Sequence, residues 1–232
     1  MTAEPDPVLR TEEPVLLVGA GPIQGEDLSE ITELVGPLIA ADGGAAKLID
    51  AGLMPDAVIG DMDSLLPEML ERLCASQLFP VAEQDSTDFE KCLTRIDAPL
   101  IFALGFTAGR MDHLLAVLNT MIRHPDRRCL LVGPEDVGLV LPPRLKLLLA
   151  PDTPVSLFPM RDVTVDDIGL TWPLTGLSFR PDGQIGTSNR ATGPVTLVAS
   201  GPGMLLFLPR KELAHLLEAL HVAPKWDRPW PS

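Results

Sequence analysis

At 232 residues, 46% of them hydrophobic, the chain has apolar content for a real core, in one domain or in two small ones. Its formal net charge of −14 argues against a nucleic-acid backbone as partner, because no basic surplus exists to neutralise phosphates. An anionic small-molecule substrate is equally awkward unless a metal ion or a few placed cations mediate its binding.

Residues 1–14 carry prolines and acids with little apolar content and read as a flexible tail, without the basic start and apolar core of a signal peptide. Short apolar runs follow at Val15–Val18, Leu38–Ala41, Ala57–Ile59, Leu78–Val81, Leu100–Leu104 and Cys129–Val132. Between them lie helical patterns: about Glu26 to Val35, Ala45 to Ala51, a start at Pro67, a helix running to about Arg95, and Arg110 to Arg123. Strand, turn and helix repeated in this way predict an N-terminal parallel-sheet α/β domain over 15–134. The texture changes near Glu135. Runs at Leu139–Leu141, Leu145–Leu149, Val155–Phe158, Leu177–Phe179, Val195–Val198 and Leu205–Leu208 are broken by Pro and Gly, and predict a smaller antiparallel, β-sandwich-like domain over 135–223. Lys211 to Leu220 reads as a closing helix, and 224–232 as a C-terminal tail holding Trp226 and Trp230. No apolar run is long enough to span a bilayer, so no membrane partner is expected. Cys74, Cys92 and Cys129 are far apart, odd in number and set in apolar segments, the pattern of reduced core thiols in a cytoplasmic protein.

In an open α/β sheet, ligands bind outside the carboxyl ends of the strands, and those ends are unusually acidic here. Asp42 follows one run, Asp61 and Asp63 the next, Gln84, Asp85 and Asp88 the next, and Arg110, Asp112 and His113 follow a glycine loop. Two carboxylates one residue apart, as in Asp61-Met62-Asp63-Ser64, are costly unless a positive charge is shared, commonly a divalent cation such as Mg²⁺, which often brings phosphates. Plainer readings stand beside these: Asp42-Gly43-Gly44 as a turn, Thr87-Asp88-Phe89-Glu90 as a capping box, His113 as a satisfied buried histidine, Trp172 as a core or interface aromatic, and Gly186-Thr187-Ser188-Asn189 as a polar turn between strands. They do not explain why every loop on one edge is acidic. No G-x-x-x-x-G-K-[ST] loop is present, and Gly19-Ala20-Gly21 is half a dinucleotide fingerprint.

Five blocks in order resemble the thiamine pyrophosphokinase family: Ala41–Ala45; Pro55-Asp56 with Gly60–Ser64; Gln84–Lys91; Gly105 through Gly109–His113 with Asn119; and Gly169–Leu174 with Thr187–Asn189. Glu83 and Ala108 depart from residues common in that family and bear on loop geometry. The resemblance implies a homodimer that moves pyrophosphate from ATP to the thiamine hydroxyl, giving thiamine diphosphate and AMP. It implies that Asp42, Asp61, Asp63 and Asp88 form a Mg²⁺–ATP site, with Asp61, Asp63 and Asp88 carrying the chemistry. Gly43, Thr87, Arg110 and Asp112 fall to the nucleotide. Gln84, Trp172, Ser188 and Asn189 fall to thiamine, with Trp172 supplied across the dimer interface. Three other readings stay open: a diphosphokinase for a pterin alcohol, a non-catalytic nucleotide- or thiamine-binding protein, and a phosphatase of the haloacid-dehalogenase type. The last follows from Asp61–Ser64, with Leu65 where Thr or Val is wanted.

Overall fold

The structure, a computed structural model, describes residues 5–227. Trp230 and the first four residues of the expected N-terminal tail lie outside the described residues. The chain divides into two compact units at Pro134/Glu135, with Met121–Arg128 belonging to the second.

The first unit begins with β1 (Leu9–Arg10) and β2 (Val15–Val18), then α1 (Gly25–Thr32), β3 (Leu38–Ala41), α2 (Gly44–Asp50) and β4 (Ala57–Gly60). It continues through α3 (Pro67–Leu70), β5 (Leu78–Pro80), α4 (Asp88–Leu93), β6 (Ile96–Asp97), β7 (Ile101–Leu104), α5 (Met111–Arg123) and β8 (Cys129–Val132). Its sheet runs β8-β7-β2-β3-β4-β5, every pair parallel. β2, β4, β7 and β8 are buried at every position, which is why they are unbroken apolar runs in sequence and not alternating ones. From β2 the chain steps outward through β3, β4 and β5, then returns to the other side of β2 as β7 and β8. The strand order therefore reverses between β2 and β7, the place where open α/β sheets form a ligand crevice.

The expected N-terminal tail is a correction in part. Leu9 and Arg10 pair in parallel with Ile96 and Asp97, and the Arg10 guanidinium reaches the Asp97 carboxylate at 3.1 Å. So short a pairing leaves no hydrophobic pattern to read. Cys92 and Cys129 are buried, but Cys74 is exposed, another departure from the core-thiol expectation. Burial pushes the Cys129 thiol up to about 12 and moves Cys92 in the same direction, so neither ionises near neutral pH.

The second unit contains β9 (Asp136–Val140), β10 (Arg144–Leu147), β11 (Pro154–Pro159), β12 (Val163–Leu170), β13 (Ser178–Phe179), β14 (Gly186–Ala199), β15 (Met204–Pro209) and α6 (Leu213–Val222). Its strands pair antiparallel in the order β13-β12-β14-β11-β15-β9, with β10 also on β14. At the far end of α6, Arg128 donates to the carbonyls of Leu220 (2.6 Å) and Ala223 (2.7 Å), satisfying acceptors that a helix C-terminus leaves open. Trp226 donates from Nε1 to Leu141 O at 2.9 Å, so the described start of the C-terminal tail is tied down.

The stretch Gly186–Asn189, expected as a turn, is instead the beginning of the long strand β14. Val155 pairs with Asn189 but Leu157 pairs with Gly186, so β14 carries an extra residue there, a β-bulge. Ser188 takes the strain with φ 64. Turn-like composition and a left-handed residue belong to a bulge as much as to a turn, and sequence alone does not separate them.

Candidate active site

The pocket of the first unit lies at the carboxyl edge of the sheet, at the reversal between β2 and β7. It encloses about 560 Å³, lined by Gly19–Pro22, Ala41–Gly43, Asp61, Ser64, Gln84, Ser86–Phe89, Lys91, Gly105, Phe106, Ala108–Arg110, His113 and Val117. The glycines after β2 and β7 are a packing requirement. Gly21 N donates to Gly105 O at 3.0 Å, and a Cβ on Gly21 would stand 2.5 Å from that oxygen. The half fingerprint of the sequence thus marks close backbone approach.

Asp42 leaves β3 with a left-handed backbone, φ 41, held by its N–H on Ile59 O (3.0 Å) and its carbonyl accepting from Ala45 N (3.0 Å). The side chain turns inward: Asp42 is 2% exposed, and its Oδ1 is buried without a hydrogen-bond partner. Gly60 makes room, since a Cβ there would lie 2.7 Å from the Asp42 Cβ. From the end of β4, Asp61 and Asp63 flank Met62, itself left-handed at φ 68. Asp63 N donates to Asp61 Oδ1 (3.4 Å), and Ser64 Oγ donates to Asp63 Oδ1 (3.1 Å). Carboxylate oxygens of Asp42, Asp61 and Asp63 lie within 4.8 Å of one another. An all-oxygen set with one buried, unpartnered acceptor fits a hard divalent cation, and these residues could hold one.

Asp88 does not join that trio. It opens α4, and its Oδ1 pairs with the Lys91 ammonium at 3.2 Å, one helical turn on. Lys91 is 2% exposed and also stands 3.7 Å from Asp61 Oδ2. Gln84 Nε2 donates to the same Asp61 oxygen at 3.2 Å. The Gln84 bond is the largest influence on Asp61 and, with the Asp63 amide, holds its carboxyl below the ordinary range. Half-buried Asp88 moves the other way, because burial outweighs the help of Lys91. For Lys91, burial opposes the charge, but Asp88, Asp61 and Glu83 together outweigh it and raise its pKa. Lys91 escaped the reading of the sequence because one lysine inside a helix resembles any solvated lysine. The available signal was its position three residues after an aspartate at a strand's carboxyl edge.

Thr87 caps α4, its Oγ1 accepting from Glu90 N at 3.3 Å, and lines the pocket as well, so the capping reading and the site reading fall on one residue. The departure at Glu83 has a structural role: its carboxylate accepts from Asp85 N (2.9 Å), Ser86 N (3.1 Å) and the Ser86 hydroxyl, fixing the loop before α4. Arg110 reaches Asp112 through two bonds, Nε to Oδ1 (3.1 Å) and Nη2 to Oδ2 (2.6 Å). Asp112 therefore presents its carboxylate to Arg110, while Arg110 and His113 line the pocket. His113 is exposed, not the buried histidine of the plainer reading.

Trp172, Ser188 and Asn189 belong to the second unit. Trp172 is 56% exposed, which removes the core reading. Its backbone is clamped: Trp172 N donates to Asn189 Oδ1 (3.1 Å) and Asn189 Nδ2 donates to Trp172 O (2.7 Å). Asn189 is buried, and its side-chain amide is spent on that clamp and on Arg190 N. Ser188 N donates to Ser156 Oγ at 3.0 Å, and Ser188 itself is exposed on the bulge.

Comparison with known proteins adds a consistent result. Residues 31–131 match the family described as the thiamin pyrophosphokinase catalytic domain. A thiamine pyrophosphokinase of Oryza sativa is 28% identical over 195 residues, covering 69% of this chain and 73% of that protein. One from Arabidopsis thaliana is 26% identical over 201 residues, covering 72% and 75%. Among solved structures, the thiamin pyrophosphokinase from Candida albicans superposes with a TM-score of 0.74 at 16% identity, over 85% of this chain and 89% of that one. The enzyme from Geobacillus thermodenitrificans gives 0.69 at 25% identity, over 84% and 96%.

Proposed function

We propose, from the chain's membership of the thiamine pyrophosphokinase family, that it transfers a pyrophosphoryl group from ATP to the hydroxyl of thiamine, forming thiamine diphosphate and AMP. The observation that carries this reading is the carboxylate trio at the carboxyl edge of the sheet, with Asp42 Oδ1 buried and unpartnered and Asp42 lining a cavity of about 560 Å³. Asp42, Asp61 and Asp63 would hold Mg²⁺, which when bound neutralises triphosphate charge in a chain of net charge −14. Backbone of Gly43 and of the facing glycine loops, the Thr87 hydroxyl and the Arg110 guanidinium take the phosphates. Asp112 orients Arg110 through its two bonds.

The alcohol oxygen of thiamine attacks the β-phosphorus, a new P–O bond forms, and the bond to the bridging α-phosphate oxygen breaks, releasing AMP. The alcohol proton passes to one of the carboxylates Asp61, Asp63 or Asp88. Such a reaction depends mainly on positioning and charge neutralisation, which rigid strand-end carboxylates supply. Gln84 and the second-unit residues Trp172 and Ser188 contact thiamine, Trp172 by stacking on the cationic ring. The working form is a cytoplasmic homodimer, with Trp172 of one subunit serving the other; among the described residues no helix is long and apolar enough to cross a membrane.

The decisive assay follows AMP formed from ATP with and without thiamine. AMP that appears only with thiamine, together with thiamine diphosphate, is the expected result. AMP formation with a pterin alcohol in its place, phosphate release from simple esters, or binding without turnover would each overturn the assignment in favour of a named rival.

A further inference from the structure

We propose that the Lys91 ammonium is a resident cation of the acidic pocket. It holds the place between Asp61 and Asp88 that a second divalent ion would need, and so limits the nucleotide-free site to one ion per chain. The inference rests on the reading that Asp42, Asp61 and Asp63 take a divalent cation.

Lys91 Nζ stands 3.2 Å from Asp88 Oδ1 and 3.7 Å from Asp61 Oδ2. A divalent ion bridging the same carboxylates would sit at roughly 2.0–2.6 Å from their oxygens, so the ammonium and such an ion exclude each other. At 2% exposure the lysine is fully drawn in, and it lines the cavity instead of pointing to solvent. Burying the lysine while its partner Asp88 stays partly exposed is a poor device for stability alone, since a well-packed apolar residue in place of Lys91 avoids the desolvation of its charge. What it does here is divide the carboxylates. Asp42, Asp61 and Asp63 keep oxygens within 4.8 Å of one another, with Asp42 Oδ1 lacking a partner, while Asp88 is bound to Lys91. Asp61 is shared between the two sets, so the positive charge on Lys91 bears directly on what the trio can hold.

Titration of the full chain with Mn²⁺ alone, followed by calorimetry and by the paramagnetic resonance of free Mn²⁺, tests this. Wild type is expected to bind one ion. Lys91→Met is expected to gain a second, which is lost again in Lys91→Met/Asp88→Asn, while Lys91→Arg keeps wild-type stoichiometry. An unchanged stoichiometry in folded Lys91→Met, or two ions in wild type, would overturn the proposal. If Lys91→Met fails to fold, Asp88→Asn decides: retention of one ion supports the division of carboxylates, and loss of the ion overturns it. The metal reading is judged separately, by whether wild type binds any Mn²⁺. The role of Lys91 is judged by the difference between variants, so the two fail in distinguishable ways.

Discussion

A buried carboxylate oxygen with no donor is a liability in a folded protein, and Asp42 adds a left-handed backbone to it. Strain of both kinds at one residue is characteristic of a site that keeps a group ready for a ligand. Asp42→Asn is therefore expected to split stability from activity: the melting temperature holds or rises, while kcat falls about 100-fold or more. Asp61→Asn and Asp63→Asn are expected to lose turnover similarly with the fold intact by circular dichroism. Wild-type turnover in any of the three removes that residue from the site. Gly60→Ala tests the space beneath Asp42 from the other side. The new methyl meets the Asp42 Cβ at 2.7 Å, and overpacking of this kind costs about 1–3 kcal/mol, so both stability and kcat fall. Asp42, Asp61, Asp63 and Asp88 were legible in the sequence because each follows a run short and apolar enough to be a buried strand. Lys91 was not, since only the fold turns its side chain inward, and neither was the pairing of Asp88 with it.

At the scale of elements, the parallel strands announced themselves and the antiparallel ones only partly. β2, β3, β4, β7 and β8 are near-continuous apolar runs. β12 alternates buried and exposed positions through Asp166 and Asp167, so its composition imitates a loop. The first half of β14 is hidden by its bulge at Ser188. Those hidden segments hold the display of Trp172. Asp167 Oδ1 accepts from Leu174 N (2.6 Å) and Thr175 N (3.2 Å), while Asn189 clamps Trp172 itself. The loop is thus fixed at both ends with the indole exposed. Sequence resemblance gives Asn189 to thiamine, and in the structure its buried amide holds the backbone of Trp172. Asn189→Ala is expected to raise the thiamine KM about tenfold, as is Trp172→Ala, each equivalent to about 1.4 kcal/mol, with the ATP KM unchanged. Because Asn189 acts through Trp172, the double variant is expected to be no worse for thiamine than Trp172→Ala alone. Additive losses, or an unchanged thiamine KM in either single variant, would count against the clamp.

For the whole molecule, charge is the governing quantity. ATP is strongly anionic, and the protein carries a formal net charge of −14, so free ATP is repelled at long range over about 10 Å at moderate salt. Around the pocket the local balance is also negative: Asp42, Asp61 and Asp88 line it, Asp63 stands beside them, and against these carboxylates Lys91 pairs with Asp61 and Asp88 while Arg110 is committed to Asp112. The nucleotide therefore has to arrive with its own cation, and metal and ATP are expected to bind as one thermodynamic unit. A ligand held at about 100 times its Kd stabilises the native state by about 2.7 kcal/mol. For a chain of this size each kcal/mol moves the melting temperature by about 2–4 °C. Mg²⁺–ATP is accordingly expected to raise the melting temperature by about 5–10 °C, whereas ATP with excess chelator leaves it within about 1 °C of the ligand-free value. Asp42→Asn, Asp61→Asn and Asp63→Asn are expected to lose the Mg²⁺–ATP shift together, since each removes one arm of a single cation site. Equal shifts from ATP with and without Mg²⁺ would show that the nucleotide is held by the glycine loops and Arg110 alone, and would take the acidic trio out of nucleotide binding.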